Sequence, residues 1–267
     1  MRRTLADRYG PRGLVVGGSE GLGAAWARAL AVGGLDLVLV ARRPDPLEAT
    51  AAAVRAAAGV TVTTLPGDLR RPEEWLAGVG SADVVVLNAA LAPTGPFCAA
   101  DPDQLQAAVE VNCLGALRVA RALLPAMVAR RRGALVVMSS MAGRQGFPGL
   151  ATYAATKAFL AVWAESLWAE LRGDGVDVLA CVAGAVSTPG YAAQMAASAA
   201  PGTLPAERVV GVALASLGRK PVVVPGRINA LAVLLGRLAP RQVTIEVMAA
   251  VGRGLGSAAA ADRADAP

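Results

Sequence analysis

The chain has 267 residues, 55% hydrophobic but only 4% aromatic, so small aliphatic side chains must build the core; this predicts one α/β domain with tight helix-on-sheet packing rather than an aromatic-rich β-sandwich. It contains no histidine, which removes Ser-His-Asp catalysis and His-ligated metal sites, and its three cysteines (Cys98, Cys113 and Cys181) lack metal or disulfide spacing and fit a reducing cytoplasm. The net charge of +6 comes from scattered arginines, with the densest run, Arg130 to Arg132, where a helix should end, so nucleic acid is not an expected partner.

Met1-Arg2-Arg3 opens like the basic region of a secretion signal, but Asp7 and Arg8 interrupt the apolar stretch that should follow. Leu14 to Val16 then reads as a short strand, followed at once by Gly17-Gly18-Ser19-Glu20-Gly21-Leu22-Gly23 and a helical pattern from Ala24 to Val32. Strand, glycine turn and helix form the context of a dinucleotide site: Gly17, Gly21 and Gly23 allow a tight turn and close backbone approach, and the helix N-terminus favours a pyrophosphate. The second strand, Leu35 to Val40, is apolar throughout, as a parallel strand covered on both faces should be. It runs into Arg42-Arg43, two guanidiniums suited to the 2′-phosphate of NADP(H). Asp45 is the competing choice, as a ribose-binding acid suited to NAD(H), and Glu20 sets a negative charge inside the phosphate loop.

A helix from about Pro46 to Ala58 and a strand from Val60 to Leu65 lead to Gly67-Asp68-Leu69, where Asp68 can accept a hydrogen bond from an adenine amino group or cap a helix before Pro72. Val84 to Leu87 is the fourth strand, ending in Asn88-Ala89-Ala90, small enough for close cofactor approach. Pro102 to Arg131 reads as one long helix bent near Gly115 or at Pro125, with Asn112 facing the interior or a cavity. The strand Ala134 to Met138 ends in Ser139-Ser140. A loop through Gly149 then delivers a helix carrying Tyr153 and Lys157 one turn apart on one face. Asn112, Ser140, Tyr153 and Lys157 are thereby expected to converge at the carboxyl ends of a doubly wound parallel sheet, where such sheets bind ligands.

These motifs resemble the classical short-chain dehydrogenase/reductase family from about Arg12 to Val224. The glycine run has the family's GxxxGxG form and Asp68 matches its adenine-contacting acid. Asn88-Ala89-Ala90 resembles its Asn-Asn-Ala-Gly element, with Leu87 in place of the first asparagine and Ala90 in place of the glycine. Asn112, Ser140, Tyr153 and Lys157 fall on its catalytic tetrad. Ala183-Gly184 stands where the family has Pro-Gly, and Thr188 where a threonine contacts the nicotinamide amide. The resemblance implies a single Rossmann-fold domain over 1–256 that transfers hydride between NADP(H) and a carbonyl or alcohol. Tyr153 is then the general acid and base, and Lys157 lowers its pKa and holds the nicotinamide ribose. Ser140 hydrogen-bonds the substrate oxygen, and Asn112 anchors a proton-relaying water. Gly17, Ser19, Gly21, Leu22, Gly23, Arg42, Arg43, Asp68, Leu69, Asn88, Ala89, Tyr153, Lys157, Gly184, Val186 and Thr188 are the implied cofactor contacts.

Residues 185–208, with Tyr191 and Met195, correspond to the family's mobile lid, and their apolar character suggests a lipophilic substrate. After a strand from Pro221 to Val224, the segment 226–253 carries Ile228, Leu231, Leu234, Leu235 and Leu238 on one helical face beside Arg227, Arg237 and Arg241. Packing over the pocket or against another subunit is its expected use, with membrane-surface contact second. The apolar residues Phe159, Leu160, Trp163, Leu167, Trp168 and Leu171 predict a homodimer or homotetramer, and 257–267 a disordered tail. The competing functional class is a catalytically silent NADP-binding regulatory or scaffold protein of the same fold; a sugar-nucleotide epimerase is disfavoured by the glycine spacing.

Overall fold

A computed structural model describes residues 4–188 and 201–251. Strands β1 (Arg12–Val16), β2 (Asp36–Ala41), β3 (Val62–Pro66), β4 (Val84–Leu87), β5 (Gly133–Ser140) and β6 (Val176–Ala183) are joined by β9 (Val222–Val223) in one parallel sheet. Its order is β3-β2-β1-β4-β5-β6-β9. Successive residues of a strand feed opposite layers: Val84, Val86, Ala134 and Val136 join Trp26, Leu30 and Leu47 on one face, while Val85, Leu87, Leu135 and Val137 join Leu123, Met127 and Leu160 on the other. Both faces are dry, so the strands carry near-continuous apolar runs. The order reverses between β1 and β4, and that switch point is the crevice in which open α/β sheets take ligands.

The helices that cover the sheet are α2 (Gly21–Val32), α3 (Pro44–Ala58), α4 (Glu73–Val79), α5 (Pro102–Val109), α6 (Ala116–Ala129), α7 (Ala151–Leu171) and α8 (Ala206–Ser216), preceded by the short α1 (Leu5–Tyr9). β7 (Val186–Ser187) and β8 (Leu204–Pro205) form a separate two-stranded ribbon. It brackets residues 189–200, so Tyr191 and Met195 lie outside the described residues, as does the tail 257–267. Asp7, which breaks the apolar stretch after Arg2 and Arg3, forms a capping box with Thr4 at the start of α1.

One expectation needs correction. The single helix over 102–131 is two helices joined by a π turn, Glu110–Gly115, which interrupts it at Gly115, while Pro125 lies inside α6. Pi turns often mark functional positions because they re-aim side chains. The strand β6 is unmarked by periodicity, since burial on both faces erases alternation. In the C-terminal segment, formed by α9 (Arg227–Leu238) and a helix over 241–251, α10, only Asn229 of α9 is buried and Val233 half-buried, and the leucine face of α9 points away from the sheet.

Candidate active site

The carboxyl ends of β1 to β4 open into a cleft of about 320 Å³ lined by Gly17, Ser19, Arg42, Arg43, Asp68, Leu69, Asn88 and Ala89 together with Glu20 and Val111. Its floor is backbone. Gly17 turns with φ +85°, and a Cβ there would lie 2.6 Å from the Ala89 nitrogen; only glycine accepts both conditions. A Cβ on Gly23 would overlap the Gly17 carbonyl oxygen, the same oxygen that accepts a hydrogen bond from Asn88 Nδ2 at 2.9 Å. Gly21, Leu22 and Gly23 form the first turn of α2, where the loop enters the helix. Thr50, on α3, donates to the Ser19 carbonyl at 2.6 Å, a brace from a residue that sequence reasoning passed over. A backbone cradle at a helix N-terminus, which any added Cβ would fill, fits a pyrophosphate.

The charges of the cleft are already partly paired. Arg43 bridges to Glu20 at 2.5 Å, whereas Arg42 makes no ion pair among the described residues. Asp45 lies in the first turn of α3, outside the cleft lining. Asp68 lines the cleft, but its carboxylate accepts from Arg70 through the side chain at 2.6 and 2.8 Å and the backbone at 2.9 Å, which holds its pKa below the usual range. The helix cap considered for Asp68 is not formed: Pro72 stands at the N-cap of α4.

Ser140, Tyr153 and Lys157 do come together, where β5 ends and α7 begins. Lys157 is buried, its Nζ donates to the Met138 carbonyl at 2.8 Å, and it lies over the Tyr153 ring, 5.6 Å from the centroid. Loss of solvent pushes its ammonium down from 10.5 to about 8, opposed by the Cys113 thiol nearby. Burial raises the Tyr153 phenol while the Ser140 hydroxyl, as a hydrogen-bond partner, draws it down. The net direction is upward because burial outweighs the Ser140 hydrogen bond.

Asn112 is buried in the π turn between α5 and α6. Its Oδ1 accepts from the Leu91 nitrogen at 2.8 Å, and its Nδ2 donates to the Leu91 carbonyl at 2.8 Å and to Thr156 Oγ1 at 2.9 Å. The side-chain amide ties the loop after β4 to α7. Thr156, Ser139 (whose hydroxyl donates to the Lys157 carbonyl at 2.7 Å) and Gly143 complete this support, and no sequence motif marked them. A Cβ on Gly143 would meet the Ala158 nitrogen at 2.5 Å and the Lys157 carbonyl carbon at 2.6 Å. Gly143→Ala is therefore expected to push the turn carrying Ser140 off α7, costing about 1–3 kcal/mol in urea denaturation and lowering kcat more than it raises KM.

Gly184, Val186 and Thr188 stand at the third side of the site. Val186 is buried in the ribbon, and Thr188 lies against the glycine loop, its methyl 3.1 Å from where a Gly21 Cβ would be. Gly184 packs on the amide of Asn229, which donates to the carbonyls of Gly202 and Pro225, both at 3.0 Å, and so pins the foot of 201–208 to α9. None of the three lines the cleft among the described residues.

The family profile of short chain dehydrogenases matches residues 13–198. The chain belongs to that family. The very-long-chain 3-oxoacyl-CoA reductase of Podospora anserina is 34% identical over 195 residues, covering 68% of this chain and 57% of the reductase, so the chain matches little more than half of that relative's length. Among solved structures, a 7β-hydroxysteroid dehydrogenase superposes with a TM-score of 0.86 at 28% identity over 92% of this short-chain dehydrogenase and 99% of the other chain. A short-chain dehydrogenase from Sphingobium yanoikuyae in complex with NADPH gives 0.73 at 30% identity, covering 85% and 94%.

Proposed function

We propose that this short-chain dehydrogenase is an NADP(H)-dependent reductase of lipophilic carbonyl compounds. The observation that carries the reading is the convergence of Ser140, Tyr153 and Lys157 beside a glycine-floored cleft whose far wall holds Arg42 and Arg43. The bound nicotinamide supplies hydride. What the chain's residues do follows from their surroundings: Tyr153, kept protonated by burial, donates its proton to the substrate oxygen, and Ser140 hydrogen-bonds that oxygen as negative charge develops. Lys157 holds a cation beneath the phenol ring and stabilises the phenolate left after transfer. Arg42 would hold the 2′-phosphate, with Arg43 able to join it on leaving Glu20.

The lipophilic substrate rests on the composition of 185–208 and agrees with the names of the reductase and steroid dehydrogenase relatives. Faster turnover of small charged keto acids than of apolar ketones would overturn it. Homodimerisation through α7, where Val162 and Phe159 are exposed and Phe159 stacks on Trp163, and a cytoplasmic location, with Cys98, Cys113 and Cys181 all as free thiols, complete the reading.

Cofactor choice is tested by titrating NADPH and NADH. Arg42→Ala is expected to weaken NADPH about 10–100-fold and leave NADH within about threefold, as one charge-assisted phosphate contact requires. Glu20→Gln, which frees an exposed arginine, is expected to tighten NADPH by only about two- to fivefold. Equal responses of both cofactors to Arg42→Ala would sink the 2′-phosphate assignment.

A further inference from the structure

Helices α9 and α10 present an apolar face that no described residue covers. Ile228, Leu231, Leu234, Leu235 and Leu238 are between 53% and 77% exposed, and Val243, Val247 and Val251 repeat the pattern at i, i+4 and i+8 on α10. At 100° per residue, Asn229 and Val233 occupy the inward side of α9 and the leucines the side opposite, so the exposure is built into the helix phase. A soluble helix of a globular protein has the reverse arrangement.

The flanks of this face are cationic. Arg227, Arg237 and Arg241 are exposed and form no ion pair among the described residues, and the chain carries no Asp or Glu from 208 to 245. We infer that the α9–α10 face is a docking surface for an anionic phospholipid bilayer, with the leucines entering the headgroup–acyl boundary and the arginines at the phosphates. Apolar centre and basic margin are what an interfacial helix requires. Pairing of two such faces between copies would instead bring like-charged arginines together.

The surface is joined to the active site. Asn229 holds the start of α9 to Gly202 and Pro225, and Ile245 of α10 packs 3.3 Å from where a Cβ on Gly146 would lie, in the loop joining Ser140 to Tyr153. Docking therefore sets the loop beside Tyr153 close to the bilayer. The inference does not depend on the proposed reductase activity.

Flotation of the full-length protein with vesicles of phosphatidylcholine, with or without about one third phosphatidylglycerol, tests it. The protein should float with the anionic vesicles at least about tenfold more than with neutral ones, and high salt should release part of it. Leu231→Asp/Leu235→Asp should lower partitioning by at least about tenfold while NADPH binding and thermal stability hold. Arg227→Gln/Arg237→Gln/Arg241→Gln, whose folding is not in question at exposed positions, should erase the preference for anionic lipid. Wild type remaining in the aqueous fraction with both vesicles, or leucine variants floating like wild type, would overturn the proposal. So would sedimentation showing that the face joins two copies and that the leucine variants separate them.

Discussion

Tyr153→Phe is expected to reduce kcat for ketone reduction by about 10²–10⁴-fold, the usual contribution of a positioned proton donor, while the NADPH dissociation constant stays within about threefold. The substitution removes one hydroxyl and keeps the ring over which Lys157 lies, so packing and the Lys157–Met138 bond survive. Burial keeps the wild-type phenol protonated, so the reductive rate should not fall as pH rises through neutrality. Single-turnover oxidation of NADPH measures the chemical step, and isothermal titration the binding. Turnover by the variant close to wild type would show that Tyr153 is not the proton donor, and absence of ketone turnover in the wild type itself would favour the silent scaffold reading.

Lys157→Met has the second large effect, and it runs in opposite directions for stability and activity. A buried lysine whose pKa falls from 10.5 unfolded to about 8 folded resists carrying its charge in the folded state. Between those values the unfolded chain binds more protons, so stability rises with pH; the penalty is complete below about 8 and relieved toward 10.5. That difference corresponds to roughly 3 kcal/mol, part of which is offset by the lost hydrogen bond to Met138, worth about 1 kcal/mol. Lys157→Met should therefore be more stable than wild type at pH 7 by about 1–2 kcal/mol in urea denaturation, lose that advantage by about pH 10, and lose turnover by at least about 10²-fold. A variant less stable than wild type at pH 7 would show that the Nζ–Met138 bond outweighs desolvation.

Such a trade is common at active sites, where a group is held in an environment that suits the reaction rather than the fold. Asn112 shows a different use of a polar residue: three hydrogen bonds to Leu91 and Thr156 join three elements around the site. Its burial needs those partners, and the partners need the π turn that aims it.

The local regularities were legible in the sequence. Glycines at 17, 21 and 23 announce a turn only glycine can make, the apolar runs at 14–16, 35–40 and 84–87 announce buried parallel strands, and Tyr153 and Lys157 share a helix face through a four-residue spacing. Chain order and period depend on neighbours a few residues away, so they survive without coordinates. Tertiary structure alone decided which charges are paired, Arg43 with Glu20 and Asp68 with Arg70, and that Lys157 of α7 turns to the carbonyl of Met138 on β5. It also decided that the leucine face of α9 looks outward. Amphipathic spacing fixes that a helix has two sides, but only the packing of Asn229 between Gly202 and Pro225 settles which side meets the protein.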